Sequence, residues 1–147
     1  MHDVQLITIG LGIVLGMIFY HRTGRSCGGI ITPGILALQI HDPHGVAWAV
    51  GTAILLSLIL EGVVRYTGIY GRQRIATAMI MALGAKLFLD HLFPASSLWL
   101  GWVIPGLMAA DMQRQGIGDT LIGTVIVTIV TAMTLESVVF LGQILGA

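Results

Sequence analysis

Two Pro-Gly pairs stand inside short apolar segments at comparable places in the two halves of this chain, Ile30-Ile31-Thr32-Pro33-Gly34-Ile35-Leu36 and Trp102-Val103-Ile104-Pro105-Gly106-Leu107-Met108. Proline lacks the backbone N–H that a helix needs and crowds the preceding turn. Each pair lies between longer apolar runs, so the pattern predicts a duplicated membrane protein with two broken helices, at Pro33-Gly34 and Pro105-Gly106. Broken helices in a bilayer are tolerated where they line something polar. Composition agrees: of 147 residues 56% are hydrophobic and only 10% charged, and the mean hydropathy of +0.93 lies outside the range of water-soluble domains.

Four long runs are each able to span: Val4 to Tyr20; Val46 to Val64 with Glu61; Ile75 to Phe93 with Lys86 and Asp90; and Thr120 to Leu145 with Glu136. The Pro-Gly segments, about Gly28 to Ile40 and Leu98 to Ala110, offer ~20 Å of helix against ~30 Å of hydrocarbon. They either dip in and return, or cross in a partly extended form shielded by neighbouring helices. The expected fold is an all-α integral membrane protein of four long transmembrane helices plus two short Pro-Gly-broken segments, in one membrane domain over 1–147. No cleavable signal peptide is expected, because no basic region precedes the first run and no small-residue site follows it.

The charges favour crossing. If both short segments cross, His21 to Arg25, Arg65 to Arg74 and Asp111 to Asp119 share one side, with Arg22, Arg25, Arg65, Arg72, Arg74 and Arg114. The opposite loops then hold no Lys or Arg, the asymmetry of a cytoplasmic and an external face. Both termini fall outside, in a bacterial or archaeal plasma membrane. Three crossings per half make the halves, about 1–70 and 71–147, an inverted-topology repeat. Glu61 and Glu136 then occupy comparable places in the third segment of each half.

Lys86 and Asp90 lie four residues apart, on one helical face, where pairing is the least costly way to hold either charge in hydrocarbon. A structural link and a place on a substrate path both remain open for them. Glu136 has no cation at four residues' spacing and needs a partner elsewhere, with Lys86 a candidate by depth, or must be protonated. Glu61 has Arg65 four residues on and is read as an interfacial pair. Arg72 and Arg74 open the third run from the basic side, as topology anchors or as guanidinium groups for a carboxylate or phosphate. Cys27 is the only cysteine and is expected to pack near a helix end. His41-Asp42-Pro43-His44 reads as a polar turn; no metal site, cofactor or catalytic residue is assigned. Gly116-Ile117-Gly118-Asp119 spells the Gly-x-Gly-Asp of intramembrane aspartyl proteases, but in a polar loop and without the partner motif. A phosphate-binding glycine loop is absent, so ATP chemistry by this chain alone is not expected. With seven basic and seven acidic residues, net charge gives no reason to expect nucleic acid.

Thr23-Gly24, Thr32-Pro33-Gly34, Tyr70-Gly71-Arg72-Gln73-Arg74, Lys86 and Asp90 followed by Phe93-Pro94, Val103-Ile104-Pro105-Gly106-Leu107 and Gln113-Arg114-Gln115-Gly116 together resemble the PgsC/CapC family in order and spacing. His21-Arg22 replaces a frequent Glu-Lys of that family, and Ala110 an Asn. The resemblance implies the small membrane subunit of poly-γ-glutamate synthase in capsule biosynthesis, beside a PgsB/CapB-type ATP-dependent ligase and a PgsA/CapA-type protein outside the cell. It implies a non-catalytic subunit supporting synthesis and passage of the polyanion. The residues expected on the substrate path or at partner contacts are then Arg72, Arg74, Lys86, Asp90, Glu136 and Glu61. Gly10, Gly12 and Gly16 permit close helix packing, and an oligomer, or assembly with the ligase, is expected. A small secondary transporter for an anionic solute, a membrane enzyme and a purely structural anchor for the ligase are the other readings.

Overall fold

A computed structural model describes residues 2–40, 42–92 and 103–145, with side chains described for 4–40, 42–88 and 103–144. The described residues are helical, in the order α1 His2–Thr23, α2 Thr32–Leu38, α3 Pro43–Thr67, α4 Arg72–Leu92, α5 Val103–Gln115 and α6 Ile117–Leu145. Among them three helices are long and apolar enough to cross a membrane: Val4–Thr23, Pro43–Thr67 and Ile117–Ile144. The third of the four expected long runs falls in α4 and ends outside the described residues. Large apolar side chains such as Leu6, Ile80, Leu87, Ile122 and Met133 stand exposed along the long helices, as they would facing lipid.

One end of the bundle gathers the C-termini of α1, α3 and α5 with the N-termini of α4 and α6. Arg25 beyond α1 bonds Asp119 at the start of α6, Arg74 at the start of α4 bonds Gln113 near the end of α5, and Val64 near the end of α3 packs with Ala78 and Ala110. The 25 residues of α3 put Pro43 ~37 Å away at the other end. The chain between Thr23 and Pro43 therefore crosses the bundle, the alternative that the charge pattern favours.

It crosses as irregular backbone over 24–31 followed by the seven-residue α2. Pro33 sits in the first turn of α2 and Pro105 is the third residue of α5. Pro33 therefore does not break a helix in its middle: at an N-terminal turn the missing N–H costs nothing, since it has no intrahelical partner. Pro105 lies at the start of the described part of α5, and the residues before Val103 lie outside the described ones. The irregular stretch depends on Gly28 and Gly29, with φ of 76° and 107°, values that side-chain-bearing residues rarely adopt.

The pairs serve close packing. A Cβ on Gly34 would stand 3.0 Å from Ile9 Cα, and one on Gly12 only 2.4 Å from Gly34 Cα. In the second half, a Cβ on Gly106 would meet Ala82 Cβ at 3.0 Å and the Ala78 carbonyl at 3.2 Å. Of the three glycines expected to mediate association, Gly12 and Gly16 are used inside the chain, against Gly34 and Cys27, while Gly10 faces open space. Van der Waals packing of this kind drives helix association where no water is displaced.

The centre is α5. Ile104, Met108 and Met112 pack with Ala53, Ala109 with Leu56 and Ala82, and Ala110 with Leu60, Val64 and Ala78, so α5 lies between α3 and α4 and also meets α6. The buried hydroxyls of Thr8, Thr32, Thr120, Thr124 and Thr131 each donate to the carbonyl four residues back. Their polar atoms are thus satisfied locally.

Candidate functional site

The polar groups of this chain concentrate at the end where α5 turns into α6. Gly116, with φ of 99°, closes α5 and lets α6 begin one residue later, so Asp119 is in the first turn of α6, where the helix dipole favours a carboxylate. The segment expected as a loop over Asp111 to Asp119 is thus two helix ends joined at one glycine. Asp119 accepts from Arg25 Nη1 at 2.8 Å, which ties up the acid of the Gly-x-Gly-Asp sequence in an ion pair.

Asp111, Arg114 and Gln115 share a helical face by their spacing, and that face meets the irregular stretch 24–31. The Ser26 hydroxyl donates to Asp111, and Arg114 lies 3.8 Å from the same carboxylate. Gln115 accepts from the Ser26 N–H at 2.9 Å and donates both to the Ser26 carbonyl and to Thr120 Oγ1. One glutamine thereby replaces the secondary-structure partners that Ser26 lacks. Gln113 points the other way and accepts from Arg74 Nη1 at 2.6 Å.

Beneath this network Cys27 is 2% exposed, packed by Gly16, near a helix end as expected. In the native protein its alkylation should run at least ~10-fold slower than in denaturant, because reagent reaches the thiol only when 24–31 opens. Mass spectrometry of timed maleimide labelling checks this, and equal rates would refute the packing.

Six arginines, Arg22, Arg25, Arg65, Arg72, Arg74 and Arg114, meet three carboxylates at this end. Arg65 pairs with Glu61 at 2.9 Å, the interfacial pair expected from spacing. Arg22 and Arg72 are exposed and form no ion pair among the described residues.

The remaining candidates lie elsewhere. Lys86, half-buried, and Asp90 are both in α4, Lys86 ~18 Å beyond Arg74; the side chain of Asp90 lies outside the described residues. Glu136 is exposed on α6, ~28 Å from its start, and makes no ion pair among the described residues. Lys86, the candidate partner by depth, is on α4, which packs on α3 and α5, whereas α6 packs on α1, α2 and α5. Asp42 caps α3 by accepting from the Gly45 N–H at 3.3 Å, and His41 lies outside the described residues. Among the described residues no group of three His, Cys, Asp or Glu side chains lies within reach of one metal ion.

Sequence reading missed Ser26, Asp111, Gln113 and Gln115 as contact residues. The one signal available was the Gln113-Arg114-Gln115-Gly116 string, which carried resemblance but no assigned role.

Comparison with known proteins gives a consistent answer. A family model described as capsule biosynthesis CapC matches residues 11–121. The "Capsule biosynthesis protein CapC" of Bacillus anthracis is 35% identical over 127 residues, covering 82% of this chain and 85% of that protein. The "PGA biosynthesis protein CapC" of Bacillus subtilis (strain 168) is 29% identical over 129 residues, 83% and 87% of the two chains. No solved structure matches.

Proposed function

This chain belongs to the capsule biosynthesis CapC family, and from that premise we propose that it is the membrane subunit of a poly-γ-glutamate synthase. It works beside a PgsB/CapB-type ligase and a PgsA/CapA-type protein, supporting synthesis of the polymer and its passage across a bacterial or archaeal plasma membrane. The observation that carries the reading is the arginine end: six of the seven basic residues of the chain, three of them without a carboxylate partner among the described residues. Poly-γ-glutamate bears one free carboxylate per residue, and an unpaired charge in hydrocarbon costs several kcal/mol or more. A cationic entry face lowers that cost for a polymer leaving the ligase.

In this reading the arginine end faces the cytoplasm, and Arg72 and Arg74 receive the ligase or its nascent product. The inverted repeat belongs to it too. Exchanging the halves carries α1 on α2 into α4 on α5, α2 on α6 into α5 on α3, and α1 on α6 into α4 on α3, all of them contacts present in the bundle. Gly34 seats on α1 as Gly106 seats on α4, and α1 runs toward the arginine end while α4 runs away. A cavity of about 530 Å³ between α3 and α4 is lined mostly by apolar side chains such as Ala47, Trp48, Leu55 and Phe88, with His44 and Thr52 beside them and no Lys or Arg. In this reading a charged conduit forms between several copies of the chain, or between the chain and the ligase.

Replacing Arg72 and Arg74 together by alanine should cut polymer output tenfold or more, since a charge-assisted hydrogen bond is worth about 1.5 kcal/mol or above. Polymer is measured in the medium and on the cell, with abundance and co-purification of the ligase checked in parallel. Unchanged output removes the arginines from the path. Normal delivery by a ligase fused to an unrelated membrane helix would reduce the chain to an anchor.

A further inference from the structure

Arg74 differs from the other arginines of its end in being half-buried, with its Nε enclosed and making no hydrogen bond. Its Nη1 is held by Gln113 Oε1 at 2.6 Å, which fixes the guanidinium plane. The Nε edge of that plane stays unmatched, and a buried unmatched donor is rare enough to require an explanation. The acceptor does not come from this end of the chain. Glu61 is engaged by Arg65, Asp119 by Arg25, and Asp111 by Ser26 and Arg114. Gln113, having spent its carbonyl on Arg74, keeps an amide N–H pair that makes no bond among the described residues.

We propose that Arg74 and Gln113 form a carboxylate-binding pair: Arg74 takes one carboxylate through its Nε edge, and Gln113 positions the guanidinium and adds an amide donor. This deepens the function proposed above and rests on it, the ligand being a free α-carboxylate of the γ-linked polymer. Three features favour that ligand over a folded partner surface. Nε is closed to a water-sized group as it stands, so a ligand reaches this edge only when the half-buried side chain shifts, a smaller displacement for a slender group on a flexible chain than for a protein face. A planar two-oxygen acceptor matches the two-donor edge of a guanidinium. The apolar side chains of Leu60, Val64, Ala78 and Ala110 packed close by lower the local dielectric and strengthen the pairing.

The test uses the whole chain in phosphatidylcholine nanodiscs and a γ-linked glutamate hexamer, with binding read by equilibrium dialysis. Arg74→Ala should weaken binding tenfold or more, and Arg74→Lys should fail to restore it, because an ammonium lacks the planar edge. Gln113→Glu is the sharper variant: it keeps size and fold, gives Arg74 a permanent internal carboxylate, and should also weaken binding tenfold or more with no loss of thermal stability. Arg65→Ala removes an equal charge from the same end, one already paired with Glu61, and should weaken binding far less than Arg74→Ala does. Wild-type binding that survives both Arg74→Ala and Gln113→Glu overturns the pair, as does an equal loss in Arg65→Ala. Displacement of the hexamer by inorganic phosphate at equal concentration, or its loss in phosphatidylglycerol nanodiscs, would replace carboxylate recognition by phosphate or headgroup binding. Loss of the ligase in Gln113→Glu with hexamer binding intact would make the pair a docking contact instead. The function proposed above fails on a different result, normal delivery of polymer by a ligase fused to an unrelated membrane helix, so the two failures are separable.

Discussion

Leucine in place of Gly34 is expected to leave little folded protein. The added Cβ alone would stand 3.0 Å from Ile9 Cα and 3.2 Å from the Ile9 carbonyl oxygen, and both are backbone atoms of a long helix that has no rotamer to change. Overpacking a core costs about 1–3 kcal/mol where side chains can adjust, and here the obstacle cannot, so the cost belongs at or above the top of that range. Gly12→Leu should be as severe, since its Cβ would fall 2.4 Å from Gly34 Cα. Gly10→Leu is the control, because nothing lies within 4 Å of its Cβ position. Size-exclusion profiles of detergent-solubilised variants report the outcome directly. A monodisperse Gly34→Leu protein melting within about 2 °C of wild type would mean that α1 and α2 do not cross as described.

Gln115→Ala is expected to have the next largest effect. It removes three hydrogen bonds at once, two of them to the backbone of Ser26 and one to Thr120. At about 1 kcal/mol each, and more where the abandoned backbone group stays buried, the loss is ~3 kcal/mol. It should appear first as local opening rather than global unfolding, because the bonds hold an irregular stretch while the helices are held by apolar contacts. Cys27 reports that opening: its alkylation should accelerate ~10-fold or more at temperatures where the helical circular dichroism is unchanged. Alkylation at the wild-type rate would show that 24–31 is held without the bonds of Gln115.

Much of the helix framework was legible because apolar runs and their interruptions are local signals. Val46 to Val64 maps onto α3, Thr120 to Leu145 onto α6, and Pro33 marks the start of a short helix. The gathering of arginines was legible as well, since six loop-proximal cations on alternate connections leave few arrangements. The contact network was not. Ser26 lies 85 positions from Asp111 and 89 from Gln115, and neither serine nor glutamine carries a pattern that announces a partner at that distance. The roles of Gly12 and Gly34 were hidden for a related reason: small residues spaced along a helix signal close approach but not to what, and here the approach is internal. Glu136 shows the converse, a residue singled out by its charge in an apolar run that the bundle leaves exposed on α6.

The uneven charge along the bundle axis has an electrical consequence. With six guanidinium groups against three carboxylates at one end, the chain carries a surplus of three elementary charges there. A voltage of 100 mV, negative inside, acts on each charge moved across the bilayer with about 2.3 kcal/mol, so the arginine end by itself contributes about 7 kcal/mol to the difference between the upright and inverted orientations. In a plasma membrane that voltage would favour the arginine end turned inward, the orientation that the proposed function requires.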